Sequence, residues 1–461
     1  MPERPEAEQD VVVAGAGPAG VLTAVLLARL GRRVLLLHSD RAGPRIEGLS
    51  QRVVDVLRSQ GLDHALAALG PEVTREVVWN GEGGGRNRER VTERQAFDAA
   101  LLRDASAAGI ETQSFGRLSV AECEAGAVVT CDTAEGETRG ARTQVFVEAR
   151  GRGAPLSRAR QRRGPETTAV MRRIVGGDLE PGTALESFRE GWAWYVCDGA
   201  QAFLQVFFDS SGGLPKRPAL LARFEEALGE LPLLSGYAAG GRAEGPPLTR
   251  NATPYLAEEL IDGAGIRVGD AALAVDPLSG HGLFEALGSA LAATAVINTR
   301  LAAPERANLA RRFYEERAQT AFLRYCRAGR DFYALESSWP ESDFWRARAA
   351  WPDQEPAHAT ADPERVAILR RPVVEKGLIA ERRVVVTPDQ PRGIWRVDEV
   401  PLPELIDLLR AREGQSLAEA APELARRLGA NDAQLATALA WLRARKLLAE
   451  GEVIRLQWEG D

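Results

Sequence analysis

The residues best suited to chemistry lie in two glycine-rich turns and one tryptophan-rich strand. Gly15-Ala-Gly17-Pro-Ala19-Gly20 follows one apolar run and opens another. Gly15 permits a tight turn, Gly17 lets backbone N–H groups approach a pyrophosphate, and Gly20 allows a helix to pack closely on a strand. Phosphates would sit at the helix N-terminus, where unpaired N–H groups and the dipole favour anions. The spacing predicts a dinucleotide-binding turn. A second turn lies in IRVGDAALAVDPLSGHG, where Gly269-Asp270 and then Pro277, Gly280 and Gly282 precede a long apolar helix. His281 stands there as the best-placed proton-handling residue, since an imidazole titrates near neutral pH; a structural hydrogen bond is its plainer role. In GWAWYVCDG, strand periodicity puts Trp192 and Trp194 on one face, with Ala193, Tyr195 and Cys197 on the other. The two indoles would either wall an aromatic pocket or fill a core.

The elements that must position these groups follow from periodicity. Val11 to Ala14 reads as a buried strand, Val21 to Leu30 as a helix and Val34 to Leu37 as a second, parallel strand. Helical patterns cover Gln51 to Leu69 and Thr92 to Ala108, and residues 143–149 return to the parallel sheet. Between about 165 and 245 the period changes to two, predicting four antiparallel strands: AVMRRIV, ALESFRE, GWAWYVC and AFLQVFFD. Two helical segments follow, Pro304 to Tyr325 and on through the tryptophan-rich run near Trp339, Trp345 and Trp351. After about residue 372, RVVVT and GIWRV read as strands. Helices follow at Leu402 to Arg412, Leu417 to Leu428 and Ala433 to Leu448, and EVIRLQW as a last strand. Ser416–Glu419 and Asn431–Gln434 are spaced as capping boxes, and Gly429 ends the middle helix.

Composition narrows the classes. A chain of 461 residues with 45% hydrophobic and 27% charged residues predicts a soluble globular protein of two or three domains. A net charge of −7 without a basic run argues against nucleic acid. Only Lys216, Lys376 and Lys446 are lysines. The four cysteines form no C-x-x-C pair, so neither a metal site nor a disulfide framework is expected, and a cytoplasmic location fits. The acidic, polar start is unlike a signal peptide. The uncharged run Val11 to Ala28 is broken by the glycine turn, so no membrane span is expected.

The two turns in this order, with Thr92-Glu-Arg94-Gln-Ala-Phe97-Asp98 between them, resemble the FAD monooxygenases and reductases related to p-hydroxybenzoate hydroxylase and the flavin-dependent halogenases. The resemblance covers roughly residues 10 to 350 and implies FAD. It places Gly15, Gly17, Ala19, Gly20, Arg94, Gly269, Asp270, Pro277, Gly280 and Gly282 at the cofactor, with Asp270 on the ribityl chain and Trp192 and Trp194 on the substrate side. Where the family carries an acidic residue for the adenosine ribose, this chain has His38, with Asp40 as a weaker substitute; the family's D-G segment reads Ala149-Arg150-Gly151-Arg152. Halogenases of this fold use an N-terminal lysine and a turn glutamate. Here no lysine precedes Lys216 and Ser279 stands at the glutamate, so halogenation is rejected.

The tail resembles peptide-recognition winged helices, which add a leader peptide as an extra strand; a docking or dimerisation appendage is the alternative. Together these features resemble the flavoprotein monooxygenases that mature tryptophylquinone enzymes such as quinohemoprotein amine dehydrogenase. The resemblance implies hydroxylation of a tryptophan within a polypeptide through a flavin C4a-hydroperoxide, during biogenesis of cysteine tryptophylquinone. It also implies O2 as co-substrate, NAD(P)H or a separate reductase as electron donor, and a quinoprotein subunit precursor as partner. A small-molecule aromatic hydroxylase and a geranylgeranyl-reductase-like enzyme stay open as alternatives. The expected fold is α/β plus α+β: a Rossmann-type FAD-binding domain (1–165 and 251–300), an inserted antiparallel substrate sheet (166–250), a helical substrate-side region (301–372) and a small winged-helix-like C-terminal domain (373–461).

Overall fold

The computed structural model describes residues 7–39, 45–84, 87–132, 138–154, 161–177 and 179–458. The chain divides into two compact units, one of residues 1–297 and 321–357, the other of residues 298–320 and 358–461. The second thus takes in more chain than the 373–461 read from the sequence.

In the first unit a parallel sheet is built around the strand Ala7–Ala14, flanked by Thr138–Glu148 on one side and Val34–His38 on the other, with Glu111–Ser114 and Gly265–Arg267 outside them. Val11, Val12, Val13 and Ala14 are all fully buried, as the continuous apolar run of a covered parallel strand requires. The run Val11 to Ala28 resolves into this strand, the turn and the helix Pro18–Arg29. Among the described residues one helix, Gly282–Ala302, is long and apolar enough to cross a membrane by length and composition, and most of that stretch is buried.

The second sheet runs, strand by strand, Arg242–Asn251, Thr167–Val175, Gln201–Asp209, Gly191–Cys197, Gly182–Phe188, Glu72–Trp79, Asn87–Glu93 and Ile46–Leu49. The four strands expected from the period-two pattern are present and antiparallel. The sheet is wider than they are, because Glu72–Trp79 joins Gly182–Phe188 in parallel and carries two N-terminal strands with it. Residues read as belonging only to the first domain therefore build both sheets. One face packs Ala193, Tyr195 and Cys197 against Leu220, Phe224 and Leu234 of the helices Arg217–Gly229 and Pro232–Ala238. Trp192 and Trp194 take the other face.

Local boundaries shift for identifiable reasons. The helix expected over Gln51 to Leu69 is two, Gln51–Ser59 and Asp63–Ala67, broken at Gly61. The helix expected from Thr92 starts at Arg94, because Thr92 pairs in the sheet and Glu93 caps the helix by accepting from the N–H groups of Gln95 and Ala96.

In the second unit the strands Ala367–Glu375, Leu378–Thr387 and Gln390–Ile394 form a meander. Its first hairpin turns on Lys376-Gly377, both at positive φ, as a two-residue turn demands. The helices Leu402–Arg410, Leu417–Leu428 and Asp432–Ala444 enclose a core including Leu405, Leu409, Leu424, Leu435 and Leu442. Asn431 and Gln434 make a complete capping box, whereas at Ser416 only the serine half is formed. The expected last strand, EVIRLQW, is a correction: Val453 and Leu456 make isolated bridges only, and the segment curls back onto the helices.

Candidate active site

The first glycine turn is shaped by close approach. Gly15 has φ +115°, and a Cβ on it would lie 2.4 Å from the carbonyl oxygen of Ala149. A Cβ on Gly20 would fall 1.9 Å from the oxygen of Gly15. These two glycines bring the turn against the neighbouring strand, while Gly17, Pro18 and Ala19 face a cavity. Gly17 caps the helix without any side-chain acceptor, so no side chain at the cap answers the first-turn N–H groups pointing toward that cavity. His38 ends its strand with its carbonyl accepting from Phe115, and it does not line the cavity; Asp40 lies outside the described residues.

The cavity holds about 700 Å³. Its polar half brings together the first turn, Arg45, Arg94, the segment Arg150–Gly153, Gly269-Asp270 and the second turn at Pro277, Gly280 and Gly282. A side chain at Gly151 or Gly153 would meet nothing within 4 Å, and one at Gly280 only Arg75 Nη1 at 3.9 Å, so each would intrude into open space. An elongated group with phosphates and a flat ring fits this glycine-lined trough, which is the test that FAD must pass here. Arg94 is buried and bridges Glu47 (2.8 Å) and Asp98 (2.9 Å). Burial opposes its charge, but the two carboxylates more than offset that and hold the guanidinium proton more firmly than usual. Asp98 therefore explains the i,i+4 spacing of the motif, whereas Glu47 comes from a strand that periodicity did not reveal. Asp270 accepts from Arg152 Nε at 3.3 Å, so the arginine at the departed D-G segment meets the aspartate expected at the cofactor.

The apolar half is the free face of the large sheet. Trp192, Trp194, Phe203 and Phe207 line it with Leu185, Met171 and Gln205. Trp192 is 2% exposed and stacks on Phe207 with ring centroids 3.8 Å apart and planes 11° apart. Its N–H donates to the hydroxyl of Tyr333 at 3.2 Å, and that hydroxyl reaches the carboxylate of Asp276. Trp194 is less buried, and its buried indole N–H has no hydrogen-bond partner among the described residues. Both tryptophans are thus pocket wall, Trp192 the anchored one. His281 sits in the second turn but is not among the lining residues; its ring lies 5.1 Å from that of Tyr325. Sequence reasoning missed Arg75 and Tyr333, which sit on a strand and a helix far along the chain from the motifs they serve. Among the described residues no group of three His, Cys, Asp or Glu is placed to hold a metal.

Comparison with known proteins agrees with this geometry. The model of the FAD binding domain family matches residues 8–164. A solved structure of QhpG, a peptidyl tryptophan dihydroxylase essential for tryptophylquinone cofactor biogenesis, is 39% identical and superposes with a TM-score of 0.83, covering 96% of this chain and 100% of that one. The chain belongs to this flavoprotein family. The flavoprotein is also 25% identical to a tryptophan 2-halogenase of Chondromyces crocatus over 73% of its own length and 70% of the relative's. A digeranylgeranylglycerophospholipid reductase of Methanopyrus kandleri is 30% identical over 61% of this chain and 78% of the relative. As an FAD-dependent monooxygenase, the flavoprotein thus presents a glycine-lined cofactor trough opening onto an aromatic wall.

Proposed function

We propose that this flavoprotein hydroxylates a tryptophan ring within a polypeptide, in biogenesis of cysteine tryptophylquinone. The observation that carries this reading is the meeting of the two halves of the cavity: the turn Pro277–Gly280 borders the same space as Trp192, Trp194 and Phe207. A flat aromatic substrate would be held against the indoles and delivered edge-on to the flavin side. The 39% identity to a peptidyl tryptophan dihydroxylase across almost the whole chain supports the same substrate class.

A bound FAD supplies two-electron storage and activation of dioxygen, the chemistry that no side chain provides. The chain's own residues bind, orient and exclude water. The N-terminus of Pro18–Arg29 would hold the pyrophosphate, and Arg94, fixed between Glu47 and Asp98, would stand at the cofactor edge. The tryptophan wall would shield one side of the reacting space from water, and the network Trp192–Tyr333–Asp276 ties that wall to the flavin turn. Electrons would come from NAD(P)H or a partner reductase, O2 would be co-substrate, and the location would be cytoplasmic. No lysine is among the lining residues and Ser279 Oγ donates to the carbonyl of Asp276, so halogenation is not proposed.

The second unit, whose sequence resembles winged-helix peptide readers, would read the polypeptide. Its strand Ala367–Glu375 is paired on one side only among the described residues, and that open edge suits an added strand. Binding of the precursor polypeptide would then raise amide-exchange protection along residues 367–375, and unchanged protection would reject the reader role. For the reaction itself, the FAD-loaded enzyme with an electron donor should add about 16 Da per step to a tryptophan of the precursor, the mass of one oxygen atom. An unchanged polypeptide beside hydroxylation of a free aromatic compound would overturn the proposal.

A further inference from the structure

Arg75 stands on the large sheet, on the strand next to Gly182–Phe188, and lines the cavity together with Leu185 and Trp194. Its guanidinium is held from behind. Nε donates to Glu89 Oε1 at 3.0 Å and Nη2 pairs with Glu89 Oε2, while Thr183 donates to the same carboxylate. The glutamate side chain is 4% exposed. Gly48 makes room for it, since a Cβ there would lie 2.2 Å from Glu89 Oε2. The pairing uses Nε and Nη2, which leaves Nη1 toward the flavin turn, 3.9 Å from where a Cβ on Gly280 would be. Arg94, Arg150 and Arg152 also line the cavity and, like Arg75, each pairs with a carboxylate, but they lie with the glycine turns; Arg45 and Arg250 line it too, Arg250 opposite Ala169 on the outer strand of the large sheet. Arg75 lines the cavity beside Trp194, with Nη1 on the side of Gly280 in the second turn.

Resting on the hydroxylase reading above, we infer that Arg75 binds the first-added oxygen of a singly hydroxylated indole as its phenolate, and so promotes and directs a second hydroxylation. In each round, ring C–H, dioxygen, reduced nicotinamide and a proton give ring C–OH, water and oxidised nicotinamide. One oxygen atom enters the ring and two electrons come from the nicotinamide. The first product carries a phenolic O–H, whose free pKa is near 10, as for tyrosine. A fixed guanidinium within about 4–6 Å of such an oxygen favours its anion by roughly 1–3 pKa units, and the Glu89 carboxylate behind Arg75 holds the effect to the low end of that range. The proton passes to solvent. The phenolate donates electrons into the ring, which makes the ring more reactive toward an electrophilic oxygen at the positions it activates. A guanidinium suits the task because it stays charged and presents a fixed fork. Glu89 sets the direction of that fork.

The test uses the FAD-loaded enzyme, with Arg75→Gln and, in case that variant folds poorly, Arg75→Lys, each checked for retained flavin. The first readout is the ratio of doubly to singly hydroxylated polypeptide by mass. In Arg75→Gln the ratio should fall by about tenfold, the effect of one pKa unit, and recover as pH is raised toward the phenol's own range. Arg75→Lys, which keeps the charge without the fork, should fall less. The second readout needs no turnover: the ultraviolet spectrum of 6-hydroxyindole bound to the oxidised enzyme, followed against pH. Ionisation should occur at lower pH on the wild-type enzyme than in free solution, and the shift should vanish in Arg75→Gln. A wild-type product ratio with an unshifted bound phenol would overturn the inference. If the wild-type enzyme adds no oxygen to the polypeptide, the hydroxylase reading fails instead, and the spectrum still judges Arg75.

Discussion

The hydroxyl of Tyr333 meets both carboxylate oxygens of Asp276, at 3.2 and 3.1 Å, while accepting the indole N–H of Trp192 at 3.2 Å. One phenol therefore joins the substrate wall to the turn that follows Asp276. Tyr333 is 2% exposed, so these bonds are made away from bulk water. Tyr333→Phe should leave a buried donor and a buried carboxylate short of a partner, costing about 1–3 kcal/mol. Urea unfolding of the FAD-loaded enzyme checks this, with a lower midpoint at unchanged slope. A loss under about 0.5 kcal/mol, the range of ordinary surface changes, would show that the network does not hold the wall.

Asp276 also gives stability a pH dependence of definite sign. Burial pushes its carboxyl above the usual range, against the opposing pull of the Leu278 N–H and the more distant Arg348. A group with a raised folded pKa contributes its stability fully below the unfolded value, about 3.9, and loses it as pH rises through the folded value. The wild-type enzyme should therefore lose stability relative to Asp276→Asn as pH climbs from that value. Parallel unfolding curves of the two proteins across the acid range test it; a constant difference would mean that the carboxyl titrates as in the unfolded chain.

Much of this was legible before any coordinates, and the boundary of legibility is physical. The turn Gly15–Gly20 and the two strands around it are local structure, written in spacing and apolar runs. The face shared by Trp192 and Trp194 followed from the pleat alone. Which side of the sheet met the cavity did not, because both faces are apolar: one packs the helices through Tyr195 and Leu204, the other stacks Trp192 on Phe207. Glu72–Trp79 escaped notice because only Val73 in it is buried and the strand it pairs with, Gly182–Phe188, lies far along the chain. Glu89 beside Arg75 and Tyr333 beside Asp276 are contacts between separate elements, which no local pattern announces. EVIRLQW alternates like a strand, yet tertiary packing of Ile454 and Trp458 into the helical core overrides that preference.

Gly20 should tolerate no side chain. A Cβ there would sit 1.9 Å from the Gly15 oxygen and 3.0 Å from the Ala149 Cβ, both held by the sheet. Gly20→Ala must push the helix Pro18–Arg29 off its strand, costing about 1–3 kcal/mol by overpacking. The helix N-terminus would move with it, so flavin content per mole of purified protein should drop together with the unfolding midpoint. Full flavin content with a lowered midpoint would mean that this helix end does not hold the cofactor.

The two tryptophans of the wall should separate into different roles. Trp192 is anchored by its stack on Phe207 and its bond to Tyr333, so Trp192→Phe should act on folding, losing about 1–2 kcal/mol through the broken hydrogen bond and the smaller ring. Trp194 is partly exposed to the cavity, and its N–H has no hydrogen-bond partner among the described residues. Trp194→Phe should thus leave stability within about 0.5 kcal/mol of wild type. Its effect should fall on substrate binding, with KM for the polypeptide rising up to about tenfold, or ~1.4 kcal/mol. Unfolding curves and steady-state kinetics on the same two variants decide it. Were Trp192→Phe to spare the fold and raise KM while Trp194→Phe unfolded the protein, the anchored and the substrate-facing indole would be the other way round.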